Sequence, residues 1–193
     1  MINVSLLKQI CEIPGAPGFE KPVRDLVISL VSPHVDEVRI DNIGNVIALK
    51  KGTRNPDGKR VMLAAHLDEI GFIVSHIDEQ GFLRFNTLGG FDPKTLTAQR
   101  VIVHGKKDLI GVMGSKPIHV MTPEEKTKLP KTTDFFIDLG MPKEEVDKYI
   151  TIGDPVTRDR ELIEMGDCVN CKSIDNRVAV FIVIEALKQL KNP

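Results

Sequence analysis

His66, Asp68 and Glu69 interrupt an otherwise apolar stretch that runs from Val61 to Val74. Polar groups that close a buried segment are costly unless something pairs them. Val61-Met62-Leu63-Ala64-Ala65 is bounded upstream by the turn-forming Arg54-Asn55-Pro56-Asp57-Gly58 and is too short for a membrane span. It predicts a strand buried on both faces. Residues two apart in a strand point the same way, which puts His66 and Asp68 on one face. A carboxylate beside an imidazole fixes its tautomer and raises its basicity, as carboxylates do behind metal-bound histidines. The same pair is also what a self-satisfied buried hydrogen bond looks like, and the spacing alone favours that simpler role.

A second carboxylate stands where another apolar element begins. Asp175 lies in Ser173-Ile174-Asp175-Asn176-Arg177, just before a helix predicted over Val178 to Leu190. Either Ser173 or Asp175 suits the helix N-cap, which stabilises a helix by about 1 kcal/mol. Asp175 also suits a bridge between two cations, since its two oxygens can each reach one ion of a pair roughly 3.5–4 Å apart. Taken alone, the cap is the simpler role.

Other chemically capable residues point to less. Cys168-Val169-Asn170-Cys171 has no second pair to complete a structural zinc site, and it lacks the βαβ context of a thioredoxin-like motif. These thiols are expected to be buried or half-buried, and Cys11 to sit in the core. His76, His104 and His119 have no paired partner in sequence; surface or structural roles suit the first two. Gly89-Gly90 is not followed by the Lys-Ser/Thr of a phosphate-cradling loop.

Composition narrows the function class. At 193 residues the chain is one large domain or two small ones, and 41% hydrophobic with 27% charged residues describes an ordinary soluble globular protein. Net charge is -1 with the basic residues scattered, which argues against nucleic acid. No run reaches transmembrane length and the N-terminus lacks the pattern of a signal peptide, so no membrane association is expected. Three cysteines form no disulfide framework, so a reducing, cytoplasmic setting is expected.

The elements that must position these groups follow from periodicity. Leu6, Leu7, Ile10, Cys11 and Ile13 after Asn3 predict a first helix with Asn3 as its N-cap. Pro14 to Gly18 breaks it, and Val23, Leu26, Val27, Leu30 and Val31 form the apolar stripe of a second helix. Two strands around Val38 and Val46–Leu49 flank a turn at Asp41–Asn45, and Asp57-Gly58 turns the chain into the apolar stretch. From about His76 to Glu164 the texture changes to short alternating runs, including Phe82–Phe85, Arg100–Val103, Ile110–Met113 and Phe135–Asp138, which predict a small all-β module. A short helix is predicted over 142–148, with Pro142 in its first turn. Residues 119–133 have no periodicity and are expected to form a long mobile loop. Gly166-Asp167 is a turn. The fold class is therefore α/β with helical cover, interrupted by an inserted, barrel-like all-β domain: residues 1–73 and 165–193 in one domain, 74–164 in the other.

With this order of elements, Ala64-Ala65-His66-Leu67-Asp68-Glu69-Ile70-Gly71-Phe72 and Cys171-Lys172-Ser173-Ile174-Asp175-Asn176-Arg177 resemble motifs of the tetrahedral (glutamyl) aminopeptidases, dinuclear metallopeptidases whose members are also labelled endoglucanases. Pro14–Glu20, Asp41–Asn45, Ser115–His119 and Met121–Glu125 are similar to that family's loops in the same order. The resemblance implies an enzyme that removes N-terminal residues from peptides with two divalent ions, zinc or cobalt. It makes His66 a terminal metal ligand, Asp68 its orienting carboxylate in the catalytic apparatus, and Asp175 the bridging ligand. Asn176 stands where many relatives carry a second Asp. The insertion corresponds to a dimerisation domain, and assembly into homo-oligomers, dimers and dodecamers, is implied.

The resemblance also implies a Glu-Glu pair, one the general base, then an Asp and a His, at positions beyond Pro193. Glu124-Glu125 and Glu144-Glu145 lie in the insertion and are expected to be solvated charges. The chain thus resembles the N-terminal half of the enzyme plus its insertion, expected to be inactive alone with a partial or empty metal site. Exposed sheet edge and apolar helix surface are expected around Val178–Leu187. A non-catalytic oligomerisation or scaffold protein derived from that family is the alternative.

Overall fold

The computed structural model describes residues 2–52, 58 and 60–190. Helices α1 (Val4–Glu12) and α2 (Lys21–Val31) come first, then strands β1 (Glu37–Ile40) and β2 (Val46–Leu49). Strands β3 (Gly71–Ile77), β4 (Leu83–Leu88), β5 (Arg100–His104) and β6 (Asp108–Ser115) follow. Helix α3 (Pro123–Thr127), strand β7 (Phe135–Asp138), helix α4 (Lys143–Tyr149) and strand β8 (Pro155–Arg158) complete the middle of the chain. Strands β9 (Ile163–Met165) and β10 (Cys168–Asn170) precede the last helix, α5 (Ile174–Gln189). These elements form two compact units, Met1–Glu69 with Glu161–Pro193, and Ile70–Arg160.

In the first unit, α1 starts where Asn3 accepts a hydrogen bond from the Leu6 N–H at 3.1 Å, and it ends before the Pro14–Gly18 loop. Leu7, Ile10 and Cys11 of α1 pack with Val23 and Val27 of α2 and with Val180, Phe181 and Ile184 of α5. Each such buried side chain stabilises the unit by about 1.5–3 kcal/mol relative to exposure. β1 and β2 pair antiparallel around a turn in which Asp41 accepts from the N–H groups of Ile43 and Asn45, and Gly44 takes a φ of 93°. Lys50 donates to the Leu187 and Leu190 carbonyls, satisfying the C-terminal end of α5 with a cation. β9 and β10 form a second two-stranded ribbon around Gly166.

The second unit is a closed barrel with strand order β3-β4-β7-β6-β5-β8. The alternation of its strands puts Phe72, Val74, Leu83, Val101, Val103, Met113, Ile137 and Val156 inside. Phe72 stacks on Phe91 with centroids 4.3 Å apart and meets Phe85 edge-on at 5.0 Å. Closure removes the free edges that an open sheet would leave.

Four local expectations require correction. Val61–Ala65 is not a buried strand: these residues make no ladder, and Val61, Met62 and Leu63 are 84%, 88% and 56% exposed. A strand needs a partner, and no described strand runs beside this segment. Residues 119–133 are not one irregular loop: α3 lies within them, because Thr122 and Glu125 form a capping box and Lys116 pairs with Glu125 at 2.7 Å. Pro142 is the N-cap of α4 rather than part of its first turn. Cys168 is exposed on the β9–β10 ribbon rather than half-buried. The turn expected at Arg54–Asp57 lies outside the described residues.

Candidate metal centre

The stretch around His66 belongs to no strand or helix, and it is held by its neighbouring residues. Ala65 and Leu67 pack against the helical core and Glu69 is buried, while His66 and Asp68 turn to the other side. The period of two therefore does the positioning that a ladder was expected to do. The Leu67 carbonyl accepts from Arg177 Nε at 2.5 Å, and the Glu69 N–H donates to the Gly15 carbonyl at 2.9 Å.

His66 Nδ1 lies 3.0 Å from Asp68 Oδ1, and His66 Nε2 lies 3.3 Å from Asp175 Oδ1. The imidazole thus has a carboxylate on each nitrogen. A carboxylate at Nδ1, as Asp68 is here, is the arrangement that orients an imidazole when its other nitrogen serves a metal. Asp175 is not the helix cap: its φ and ψ are −85° and 109°, and among the described residues no backbone N–H donates to it. Ser173 does not cap by its side chain either; its hydroxyl donates to the Cys11 carbonyl at 2.6 Å. The Asp175–Asn176 peptide is cis. Its side chain is 96% exposed and, among the described residues, pairs with the imidazole alone.

The donor set fits a divalent ion. Ligand bonds of about 2.0–2.2 Å at a tetrahedral angle put an imidazole nitrogen and a carboxylate oxygen about 3.3–3.4 Å apart. The Nε2–Oδ1 separation is 3.3 Å. Among the described residues no group of three or more His, Cys, Asp and Glu side chains is placed to hold a metal ion, so His66 and Asp175 would supply two donors of any such site.

Three charged residues behind this face, Glu69, Lys172 and Arg177, carry no signal at ligand spacing in the sequence. Glu69 bonds to Lys172 Nζ with both side chains almost fully buried, and Arg177 Nη2 lies 4.0 Å from the same carboxylate. Burial pushes Lys172 and Arg177 down from their usual values, and the Glu69 charge opposes both shifts. Their only sequence signal is the placing of Glu69 inside one apolar run and of Lys172 and Arg177 at the edge of another. Beside them, the Cys11 thiol hydrogen-bonds Cys171 and lowers it to about 6, while Cys11 itself is raised. In the barrel, His104 Nδ1 lies 2.9 Å from Asp108 of β6 and Nε2 lies 2.9 Å from Thr157 of β8, so the ring joins β5 to both neighbours. His76 and His119 are exposed.

Residues 44–193 match the M42 glutamyl aminopeptidase family. The chain belongs to that family. As a member of the M42 family it is 36% identical over 199 residues to a lysyl aminopeptidase of Pyrococcus furiosus, an alignment covering 98% of this chain and 56% of the relative. A solved aminopeptidase from the archaeon Desulfurococcus kamchatkensis superposes with a TM-score of 0.90 at 40% identity, covering 98% of this chain and 52% of that one. The TET1 peptidase of Pyrococcus horikoshii, which can assemble into a tetrahedron or a large octahedral shell, superposes with a TM-score of 0.83 at 30% identity, covering 97% and 56%. The chain spans about half the length of the relatives it matches. Among the described residues no helix is long and apolar enough to cross a membrane.

Proposed function

We propose that His66, Asp68 and Asp175 are this chain's share of a dinuclear metal centre that removes N-terminal residues from peptides in the intact enzyme. The observation that carries this is the imidazole held between two carboxylates, with Nε2 and Asp175 Oδ1 separated by 3.3 Å, the spacing of two donors on one ion. His66 would be the terminal ligand, Asp68 its orienting partner, and Asp175 the bridge. When bound, two divalent ions, zinc or cobalt, polarise the scissile carbonyl and activate the attacking water. The chain's own residues orient the imidazole through Asp68 and present the Asp175 carboxylate beside its Nε2.

Among the described residues no group of three or more ligand side chains is placed to hold a metal ion, so the chain alone is inactive in this account. The exposed apolar side chains of Val61, Met62 and Leu63, and Ile182 on α5 at 57% exposure, are then the surface that the rest of the enzyme covers. The barrel, with Ile110 and Val112 exposed on β6, is the homo-oligomerisation domain, and the setting is cytoplasmic. An oligomerisation scaffold without peptidase activity is the competing function, favoured by that same apolar strand face.

The test joins this chain to the remaining segment of a 36%-identical relative and measures release of N-terminal residues from peptides. Metal-dependent turnover that His66→Ala and Asp175→Ala abolish is expected, with none from the 193-residue chain alone. Turnover by the chain alone, or by a hybrid indifferent to His66, contradicts the proposal.

A further inference from the structure

Arg177 is fully buried, and none of the roles above uses it. Its guanidinium is enclosed by backbone oxygens: Nε donates to Leu67, and Nη1 donates to Ile10 at 2.6 Å and Ile13 at 3.0 Å. Leu67 sits between His66 and Asp68, while Arg177 sits two residues past Asp175. One planar, rigid group therefore ties the His66–Asp68 segment to the mouth of α5 and to the end of α1. A lysine has the charge but not the fork of donors that reaches all three carbonyls.

Gly15 closes the enclosure. A Cβ there would stand 2.6 Å from Arg177 Nη2 and 2.8 Å from Val23 Cγ1, so the loop after α1 can lie over the guanidinium only as glycine. The Gly15 carbonyl in turn accepts from the Glu69 N–H at 2.9 Å. The Glu69 carboxylate supplies the counter-charge that lets Arg177 and Lys172 be buried together. A buried ionic cluster of this kind stabilises a fold little better than apolar packing would. What it does fix is geometry, and the geometry in question is the separation of His66 and Asp175.

We propose that Arg177, seated under Gly15 and neutralised by Glu69, is a positioning residue that sets the distance between His66 Nε2 and Asp175 and so the metal affinity of the site. The proposal rests on the metal-site reading above and extends it to a residue that touches neither ion nor substrate.

The test is Co²⁺ binding to the 193-residue chain, followed by calorimetry and by the visible absorption of the bound ion. Binding that His66→Ala removes is the baseline; no binding, or binding indifferent to His66→Ala, overturns the metal-site reading and this inference with it. Given that baseline, Arg177→Lys and Gly15→Ala should each weaken Co²⁺ binding roughly 10-fold or more, with a changed absorption band, as loss of an outer-shell partner does. Unchanged affinity and an unchanged band in both variants overturn the positioning role while leaving the metal site standing. A variant that fails to fold is replaced by a measurement on the wild-type chain. The Arg177 Nε–H resonance should shift when Zn²⁺ saturates the site, and a resonance that stays put while the His66 ring signals move overturns the proposal.

Discussion

Replacing Lys172 by methionine should destabilise the unit of Met1–Glu69 and Glu161–Pro193 by about 3–5 kcal/mol. The magnitude follows from where the pair sits. The side chains of Lys172 and Glu69 are 3% and 1% exposed, against the half-exposed pairs of α4, which contribute only about 0–1 kcal/mol. Methionine fills the space of the lysine stem but removes the ammonium, and the carboxylate is left with Arg177 at 4.0 Å as its nearest remaining cation in this cluster. Glu69 Oε2 has no hydrogen-bond partner among the described residues, so nothing else there takes up the charge. Urea denaturation followed at the helical far-ultraviolet band measures the loss, because α1, α2 and α5 all belong to this unit. Glu69→Gln in the Lys172→Met background should recover much of it, since the orphaned charge is then gone. A loss under about 1 kcal/mol, or strict additivity of the two substitutions, refutes the reasoning, because either would mean that the pair behaves as an exposed one.

Two further perturbations probe the core and the thiol pair. Phe72→Ala should cost the barrel about 3–5 kcal/mol, since Phe72 is fully buried and contacts both Phe85 and Phe91; a calorimetric change confined to the helical unit would contradict this. Cys171 should be alkylated by iodoacetamide with a half-maximal rate near pH about 6, because the lowered value means that the thiolate forms as pH rises through it. In Cys11→Ala the midpoint should move up toward the ordinary thiol range of about 8.5, and a midpoint that is the same with or without Cys11 rules out the thiol hydrogen bond as its cause.

What the sequence made legible divides by the range of the interactions involved. The α1 cap at Asn3, the stripe of α2 and the alternation of the barrel strands are local patterns, and each appears where its period predicts. The period also puts His66 and Asp68 on one side of the chain, and it does so without the strand ladder expected at Val61–Ala65. The apolar run misled there because hydrophobicity reports what a segment tends to bury, not whether a partner strand is present to pair with it. Helix α3 was overlooked because a five-residue helix shows no hydrophobic period, although Thr122 and Glu125 carry its capping signature. The surroundings of Asp175 were not legible locally, because its neighbour His66 comes from more than a hundred residues away. The buried Glu69–Lys172–Arg177 cluster was illegible for the same reason. A charge in an apolar run signals that some partner exists, and only the folded chain names it.

The most direct test of the central claim is anomalous diffraction from crystals of this chain soaked in Zn²⁺ or Co²⁺. The account predicts an anomalous peak within about 2.0–2.2 Å of both His66 Nε2 and an Asp175 oxygen, with Asp68 still on Nδ1. A peak elsewhere, or an imidazole that stays bonded directly to Asp175 at saturating metal, contradicts it.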